Sequence, residues 1–201
     1  MFGLTPAELR QFRKLSSPRK VQRFLDKDIR YNVEQGGETC RSPRRVLRDR
    51  LAHCFEGALF AAAAMRVSGR KPLIIDLVAH RDDDHVIAVF KEHGLWGAVA
   101  QSNYSGLGYR APVYRTVREL VMSYFEEYFN HAKEYTLRAF SMPLNISRWD
   151  YLGWMTAEKE LFILSELLKD IRHYPLIPEG LRLGGIRPRV YKAGCVGQVK
   201  H

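Results

Sequence analysis

The stretch Cys54–Val67 constrains the fold of this chain more than any other feature. It reads CFEGALFAAAAMRV and is apolar on nearly every side, apart from Glu56. A helix that is hydrophobic all round belongs in the interior of a protein rather than at its surface. The sequence therefore predicts a central buried helix that begins at Cys54, and its alanines allow neighbouring elements to approach it closely.

Three apolar segments follow this helix and predict strands. Pro72 leads into a β-branched run at 73–79, and the segments 85–91 and 95–101 are also apolar and strand-like. The three residues 92–94 end in glycine and predict a short hairpin loop between the last two strands. We therefore expect the buried helix to pack on a small antiparallel sheet.

The register of this hairpin decides which residue lies opposite His85, the first residue of its first strand. A three-residue loop pairs Lys91 with Leu95 and sets His85 opposite Gln101. A four-residue loop or a bulge would move the opposing position to Ser102 or beyond. Because a shift of one residue exchanges the two faces of a strand, these positions stay open at the level of sequence.

Helices are expected on both sides of this core along the chain. Capping residues and apolar spacing predict that they begin near Pro6, Pro18, Pro43, Thr116 and Thr156. The helix after Thr116 is expected to reach about residue 129, a short strand to span 136–140, and the last helix to span 158–171.

The length of 201 residues suits one α+β domain with one sizeable core. Within that single domain, 1–201, we expect the core at about 40–105. A helical region is expected at about 112–175. Prolines and glycines beyond it predict a loose basic tail at 176–201.

The composition argues against a membrane protein and against a disulfide or zinc scaffold. The longest apolar run, 58–65, is far shorter than the roughly 18 residues that a membrane span requires. Residues 1–15 lack the apolar core of a signal peptide. The three cysteines contain no CxxC pair and fit neither a disulfide framework nor a metal motif. The sequence therefore predicts a cytoplasmic protein without a structural metal, in which thiols stay reduced.

The formal net charge of +10 is concentrated in the flanks of the chain. Residues 1–50 carry 13 Lys or Arg and 6 Asp or Glu, and residues 181–201 carry 5 Lys or Arg and no acid. The segment between them is slightly acidic. Solvated basic faces and a basic tail are the preferred interpretation, and an anionic partner such as an acidic protein is the alternative. A dedicated nucleic-acid-binding domain is disfavoured because no nucleic-acid-binding motif accompanies the basic residues.

Cys54 and His85 are the residues most suited to catalysis. A thiol at a helix start is influenced by the positive end of the helix dipole, which favours the thiolate form. An imidazole nearby can take the thiol proton, and backbone N–H groups at the helix start can stabilise an oxyanion. His85 begins an apolar strand and is therefore expected at the edge of the sheet, near solvent. Together these residues predict a cysteine nucleophile with a histidine base.

A third group is expected to hold the imidazole of His85 in one tautomer. Gln101, at the end of the next strand, and Ser102 and Asn103, directly after it, compete for this role. Asp84, next to His85 in the sequence, could act locally instead. Asn103 could accept a hydrogen bond through its amide oxygen. His53 also lies beside the cysteine, but adjacent residues on a helix point about 100° apart and rarely meet.

The stretch from RVLRDRLAHCFEGALFAAAAMRV to LWGAVAQSN, at about 40–105, resembles the transglutaminase-like superfamily of papain-type cysteine enzymes, in a bacterial-type member. The shared pattern is a cysteine at the start of a buried helix, a histidine that opens a strand, and a tryptophan on the next strand. Cys54, His85 and Trp96 match it in order and approximate spacing. The family's aspartate follows that tryptophan by about four residues, where this chain has Ala100.

The resemblance implies a transglutaminase-like or papain-like fold and a cysteine-dependent acyl-transfer enzyme, either a peptidase or amidase or a transferase. It implies no cofactor, and a peptide or another amide as substrate. Asn103 would complete a papain-like Cys-His-Asn set, while Ser102 shares a strand face with Trp96. Because a carboxylate is missing at the third position, the alternative is a catalytically degenerate binding module whose basic flanks engage an acidic protein or a nucleic acid.

Overall fold

The computed structural model describes residues 2–181 and 183–199, and it contains both helices and strands. The α-helices are α1 (Pro6–Lys14), α2 (Pro18–Asp28), α3 (Pro43–Asp49), α4 (Cys54–Val67), α5 (Val117–Met122), α6 (Phe162–Lys169) and α7 (Pro188–Gly194). The strands are β1 (Arg30–Tyr31), β2 (Leu51–Ala52), β3 (Leu73–Ala79), β4 (His85–Glu92), β5 (Leu95–Val99), β6 (Arg110–Tyr114), β7 (Leu137–Ser141), β8 (Leu144–Asn145) and β9 (His173–Pro175). Within the described ranges, no helix has both the length and the apolar character needed to cross a membrane.

Seven of the strands form one sheet in the order β6-β5-β4-β3-β7-β9, with β8 beside β3. The pairings within this sheet are antiparallel. The short strands β1 and β2 form a separate parallel pair, in which Tyr31 lies opposite Ala52. The fold is therefore mixed α+β with an antiparallel main sheet, as the sequence predicted.

Helix α4 lies in the centre of the larger of two hydrophobic clusters. Every residue from Phe55 to Met65 is buried. One face of the sheet packs against α4 through Ile74, Ala88 and Val99, while α1, α2 and α3 contact it on its other sides. The opposite face of the sheet packs against α5. The predicted central buried helix is confirmed, because an all-round apolar helix has no face that water could occupy.

The hairpin between β4 and β5 is tighter than the sequence predicted. Glu92 pairs with Leu95 and Lys91 pairs with Trp96, so the turn contains His93 and Gly94 rather than three residues. Both turn residues have positive φ, 51° and 81°. Two left-handed residues form the type of two-residue turn whose twist matches antiparallel strands. The register moves by one position, and β5 ends at Val99 rather than at residue 101.

Two predicted helices are shorter than expected. Helix α5 ends at Met122, because the Ser123 hydroxyl donates to the carbonyl of Leu120 and the chain then tightens into a 3-10 turn at Phe125–Glu127. Helix α6 does not begin at residue 158. The N–H of Leu161 donates to the carbonyl of Cys40 at 2.8 Å, and this long-range bond holds the preceding segment out of the helix.

The region after α5 contains more sheet than the sequence predicted. The expected strand at 136–140 is present as β7, but β8 and β9 lie in a stretch that was expected to be helical. The tail predicted to be loose contains α7, which the hydroxyl of Ser105 anchors through a 2.7 Å hydrogen bond to the carbonyl of Ala193. These contacts join distant segments, and so they leave no local periodicity in the sequence.

Candidate active site

Cys54 is the first residue of α4, and its placement follows from the two short elements before it. Strand β2 ends at Ala52, and His53 then forms the N-cap with extended backbone angles, φ −87° and ψ −173°. The half-buried thiol of Cys54 lies 3.7 Å from the carbonyl oxygen of Asp84, to which it can donate. Asp84 directly precedes β4, so the helix start and the strand start meet at the thiol.

His85 is the first residue of β4 and lies opposite Leu77 of β3. Its side chain is buried, and the ring of Tyr128 packs edge-on against it with centroids 6.3 Å apart. The Nε2 atom lies 3.1 Å from the carbonyl oxygen of Leu107. Because a carbonyl can only accept, Nε2 carries a proton, and Nδ1 is left free to take the proton of the thiol.

His53 also acts on the thiol. Its Nε2 lies 2.9 Å from the carbonyl oxygen of Thr39, and the carboxylates of Glu56 and Glu34 lie at 3.7 and 3.8 Å. The expectation that His53 points away from the cysteine is wrong, because it rests on helical geometry. His53 precedes the helix and has an extended backbone, and its side chain lines the same pocket as Cys54 and interacts with the thiol.

The two imidazoles control the ionisation of Cys54. Burial by itself raises the pKa of the thiol, but hydrogen bonds with His53 and His85, together with their positive charge, lower it to about 5. Burial lowers the pKa of His53, while the Cys54 thiolate and the Glu56 carboxylate raise it to about 9. At neutral pH these directions favour a thiolate beside a protonated imidazole, which is the reactive form of a cysteine nucleophile.

A buried carboxylate supports this arrangement from within α4. The Glu56 side chain is fully buried and accepts hydrogen bonds from the Thr39 hydroxyl at 2.8 Å, from the Arg41 N–H at 2.8 Å and from the His53 N–H at 3.0 Å. The guanidinium of Arg41 pairs with it at 3.2 Å. Glu56 therefore fixes the N-cap that carries His53 and joins it to the segment 39–41.

None of the residues predicted to orient His85 does so within the described part of the chain. Gln101 donates to the carbonyl of Ile29 at 3.2 Å, and the hydroxyl of Ser102 accepts from the Tyr104 N–H at 3.0 Å. The carboxylate of Asp84 accepts from the Ala79 N–H at 2.7 Å. Each of these three side chains is therefore hydrogen-bonded to a main-chain group rather than to His85.

Asn103 pairs with the segment that follows α7. Its amide donates to the carbonyl of Val199 at 3.0 Å and accepts from the N–H of Val199 at 2.8 Å. The group that holds His85 is instead the main-chain carbonyl of Leu107. No side-chain identity encodes this contact, which explains why sequence reasoning missed it.

The thiol opens into a pocket of about 720 Å³. Its lining includes both active-site histidines, Tyr31, Tyr128 and Asn103, and carboxylates at Glu34, Asp76, Asp82, Asp83 and Asp84. Burial raises the pKa of Tyr31 and of Tyr128, and the negative thiolate of Cys54 raises both further. Both hydroxyls are therefore neutral, and that of Tyr128 donates to the carbonyl of Asp83 at 2.7 Å.

Asp76 is a buried carboxylate in this pocket that the sequence analysis did not single out. It is 4% exposed, and His173 lies 2.9 Å from its Oδ2 atom. Burial and the negative charge of Asp84 raise its pKa to about 6, although the hydrogen bond with His173 opposes the shift. A carboxylate whose folded pKa exceeds its unfolded value near 3.9 destabilises the fold at neutral pH.

We expect this penalty to disappear as the pH falls from 7 through 6 toward 4. Relative to an Asp76→Asn variant, the wild-type chain should gain about 2 kcal/mol of unfolding free energy over that range. Urea unfolding of both proteins at several pH values measures the difference. Asp170→Asn, at an exposed position, is the control for losing a carboxylate. A difference between wild type and Asp76→Asn that does not change with pH would contradict the expectation.

No protein-family model matches the chain, and no curated protein resembles it closely enough in sequence to register as a match. Across residues 2–181 and 183–199, no group of three or more His, Cys, Asp or Glu side chains has the arrangement of a metal site. The site is therefore interpreted from its own geometry: a thiol at a helix start, two imidazoles and a pocket.

Proposed function

We propose that this chain is a cysteine-dependent acyl-transfer enzyme with a transglutaminase-like fold, acting on a peptide or another amide. The observation that carries the proposal is the meeting of Cys54, at the start of α4, with the imidazoles of His53 and His85, which lower the thiol pKa to about 5. Such a thiolate is present at neutral pH without any further activation.

In this mechanism the sulfur of Cys54 attacks the carbonyl carbon of the amide. The N–H groups at the start of a helix have no acceptor within it, so those of Cys54 and Phe55 are suited to stabilise the oxyanion. In the proposed step, Nδ1 of His85 has taken the thiol proton and then gives it to the leaving amine, while the His53 imidazolium stabilises the thiolate. Water or a second amine releases the acyl group from sulfur, with the imidazole of His85 acting as base.

The likeness to the transglutaminase-like superfamily supports this proposal through the order of its elements. A cysteine opens a buried helix, and a histidine opens a strand of the antiparallel sheet that packs on it. Among residues 2–181 and 183–199, no carboxylate hydrogen-bonds to His85 as the family's third residue does, and the carbonyl of Leu107 accepts from Nε2 instead. A carbonyl fixes the tautomer of the ring but adds less stabilisation to the imidazolium than a carboxylate does.

This neutral third group also supports the alternative proposal, a binding module on the same fold. In that case the basic flanks would engage an acidic protein, and Cys54 would not turn over. All three cysteines are free thiols in the described chain, and we propose a cytoplasmic location for either function. An acylation assay separates the two proposals.

Acylation of Cys54 by p-nitrophenyl acetate is the direct test. We expect a burst of about one equivalent of p-nitrophenol, with an acetyl group on the peptide that contains Cys54 and removal of that group by hydroxylamine, as for a covalent acyl-enzyme. Cys54→Ser should show no burst, while Cys195→Ser should retain it. Acetylation of Cys54 no faster than that of Cys195 would refute the enzyme proposal.

A further inference from the structure

The end of the segment 195–199 lies at the pocket of Cys54. Gln198 and Val199 line that pocket together with the nucleophile. Val199 and Gly197 also line an adjoining pocket of about 850 Å³, which shares Asn103 and the segment 31–34 with the first. The two pockets adjoin along this shared lining, which includes Val199, and together they are called the cleft.

The path of this segment is set by α7. The Ser105 hydroxyl holds the carbonyl of Ala193, and the ring of Tyr191 packs on Phe129 with centroids 5.3 Å apart. A Cβ atom at Gly194 would come within 2.5 Å of the Phe129 ring, so the helix end lies directly against it. These contacts deliver the residues that follow to the mouth of the cleft.

Asn103 binds Val199 through both of its main-chain groups. The amide oxygen accepts from the N–H at 2.8 Å, and the amide nitrogen donates to the carbonyl at 3.0 Å. A neighbouring β-strand bonds an extended residue in the same two-way fashion. Because both bonds go to the main chain, this contact recognises an extended polypeptide irrespective of the side chain at that position.

We propose that Asn103 is a main-chain binding residue for an extended polypeptide substrate of the Cys54 site, and that the segment 195–199 occupies this subsite in its absence. The proposal rests on the acyl-transfer function above and assigns its substrate class, a polypeptide rather than a small amide. It gives Asn103 a binding role in place of the expected role beside His85.

Two full-length variants separate the occupant from the binding residue. Both carry Cys195→Ser, so that Cys54 is the accessible thiol beside the buried Cys40. Val199→Pro removes the N–H that Asn103 accepts and leaves Asn103 intact. Asn103→Leu removes both bonds. Each change is local to the contact between Asn103 and the segment.

The first measurement is the rate of Cys54 modification by fluorescein maleimide, a reagent too large to share the cleft with the segment. Two hydrogen bonds are lost in Asn103→Leu and one in Val199→Pro, so both variants should react faster, by up to about tenfold. The rate with iodoacetamide, which is small, should change by less than about twofold. Unchanged maleimide rates in both variants would overturn the proposal.

The second measurement is protection by a synthetic peptide of residues 193–199 that carries Cys195→Ser and has blocked ends. At millimolar concentration it should restore slow labelling in Val199→Pro and have no effect in Asn103→Leu. Asn103→Asp, which keeps one of the two bonds, should be protected in part. If the peptide protected Val199→Pro and Asn103→Leu equally from maleimide labelling, Asn103 would be excluded as the binding residue.

These outcomes are independent of whether Cys54 is activated. The pH midpoint of the iodoacetamide reaction reports the thiol pKa, whereas the ratio of the two reagent rates reports coverage of the cleft. A midpoint near 8.5 would remove the proposed function itself. A midpoint near 5 with unchanged reagent ratios would remove only the substrate assignment.

Discussion

A chain that carries His53→Ala together with His85→Ala is expected to lose its reactive thiolate. The pKa of Cys54 should rise from about 5 to above the ordinary value near 8.5, because burial raises it once both imidazoles are gone. The measurement is the rate of iodoacetamide alkylation from pH 4 to 10 in a Cys195→Ser background. The midpoint of this profile should move by more than 3 pH units.

The midpoint is a sharper readout than the rate at one pH. At pH 6 the thiolate fraction should fall by roughly 300-fold, but a thiolate of higher pKa is intrinsically more nucleophilic, by roughly 40-fold. The net loss of rate is then only about tenfold. His80→Ala, at an exposed position outside the pocket, controls for the loss of an imidazole. A double variant whose midpoint stays below 7 would show that neither histidine activates the thiol.

The single variants assign the two imidazoles. Each should raise the midpoint by less than the double variant does, because the remaining ring still stabilises the thiolate. If His85 is the proton donor to the leaving group, His85→Ala should also slow the acylation burst at pH values where the thiolate is fully formed. His53→Ala, in contrast, should show a burst as fast as that of the wild type once the pH is high enough for the thiolate to be fully formed.

The second large effect is expected at Glu56. Glu56→Ala removes a fully buried carboxylate and leaves the Arg41 guanidinium, which is 14% exposed, without that partner. Breaking a buried ion pair from one side costs about 3–5 kcal/mol when the remaining charge is desolvated and uncompensated. The Asp49 carboxylate lies 3.6 Å from Nε of Arg41 and keeps part of that compensation, so the cost should lie near the lower end of this range. Urea unfolding should show a lower midpoint with an unchanged slope.

An exposed ion pair supplies the matched control. Glu158 pairs with Arg48 at 2.8 Å, and both side chains are more than half exposed. Glu158→Ala should cost no more than about 1 kcal/mol. Glu56→Gln keeps the shape of the side chain and some of its hydrogen bonds. Its loss of unfolding free energy should lie between those of Glu158→Ala and Glu56→Ala. A cost below about 1 kcal/mol for Glu56→Ala would mean that water or another group compensates Arg41.

The core of the fold could be predicted because its signals are local. The all-round apolar character of α4 and the apolar runs of β3, β4 and β5 each identify an element without reference to the rest of the chain. Capping residues marked the start of α1, α2 and α3 equally well. The turn at His93 and Gly94 was misjudged by one residue, since strand ends carry no strong signal.

The candidate site was predictable only in part, for the same reason. The position of Cys54 at a helix start follows from the apolar run that it opens. His53 was rejected because it was treated as helical, although Glu56, three residues later, is the pattern of a capping box with residue 53 at the N-cap. The glutamate half of that motif was visible in the sequence and is compatible with residue 53 at the N-cap, although His is not among the usual N-cap residues.

By itself the sequence determined a central buried helix, a thiol at its start and a histidine that opens an adjacent strand, because periodicity and capping act within a few residues. Only the tertiary structure decided that two imidazoles share the thiol, that the Leu107 carbonyl holds His85 and that Asn103 binds Val199. The reason is physical. These last two contacts join segments far apart in the chain, and each uses main-chain groups, which are the same in every residue and leave no signature in a sequence.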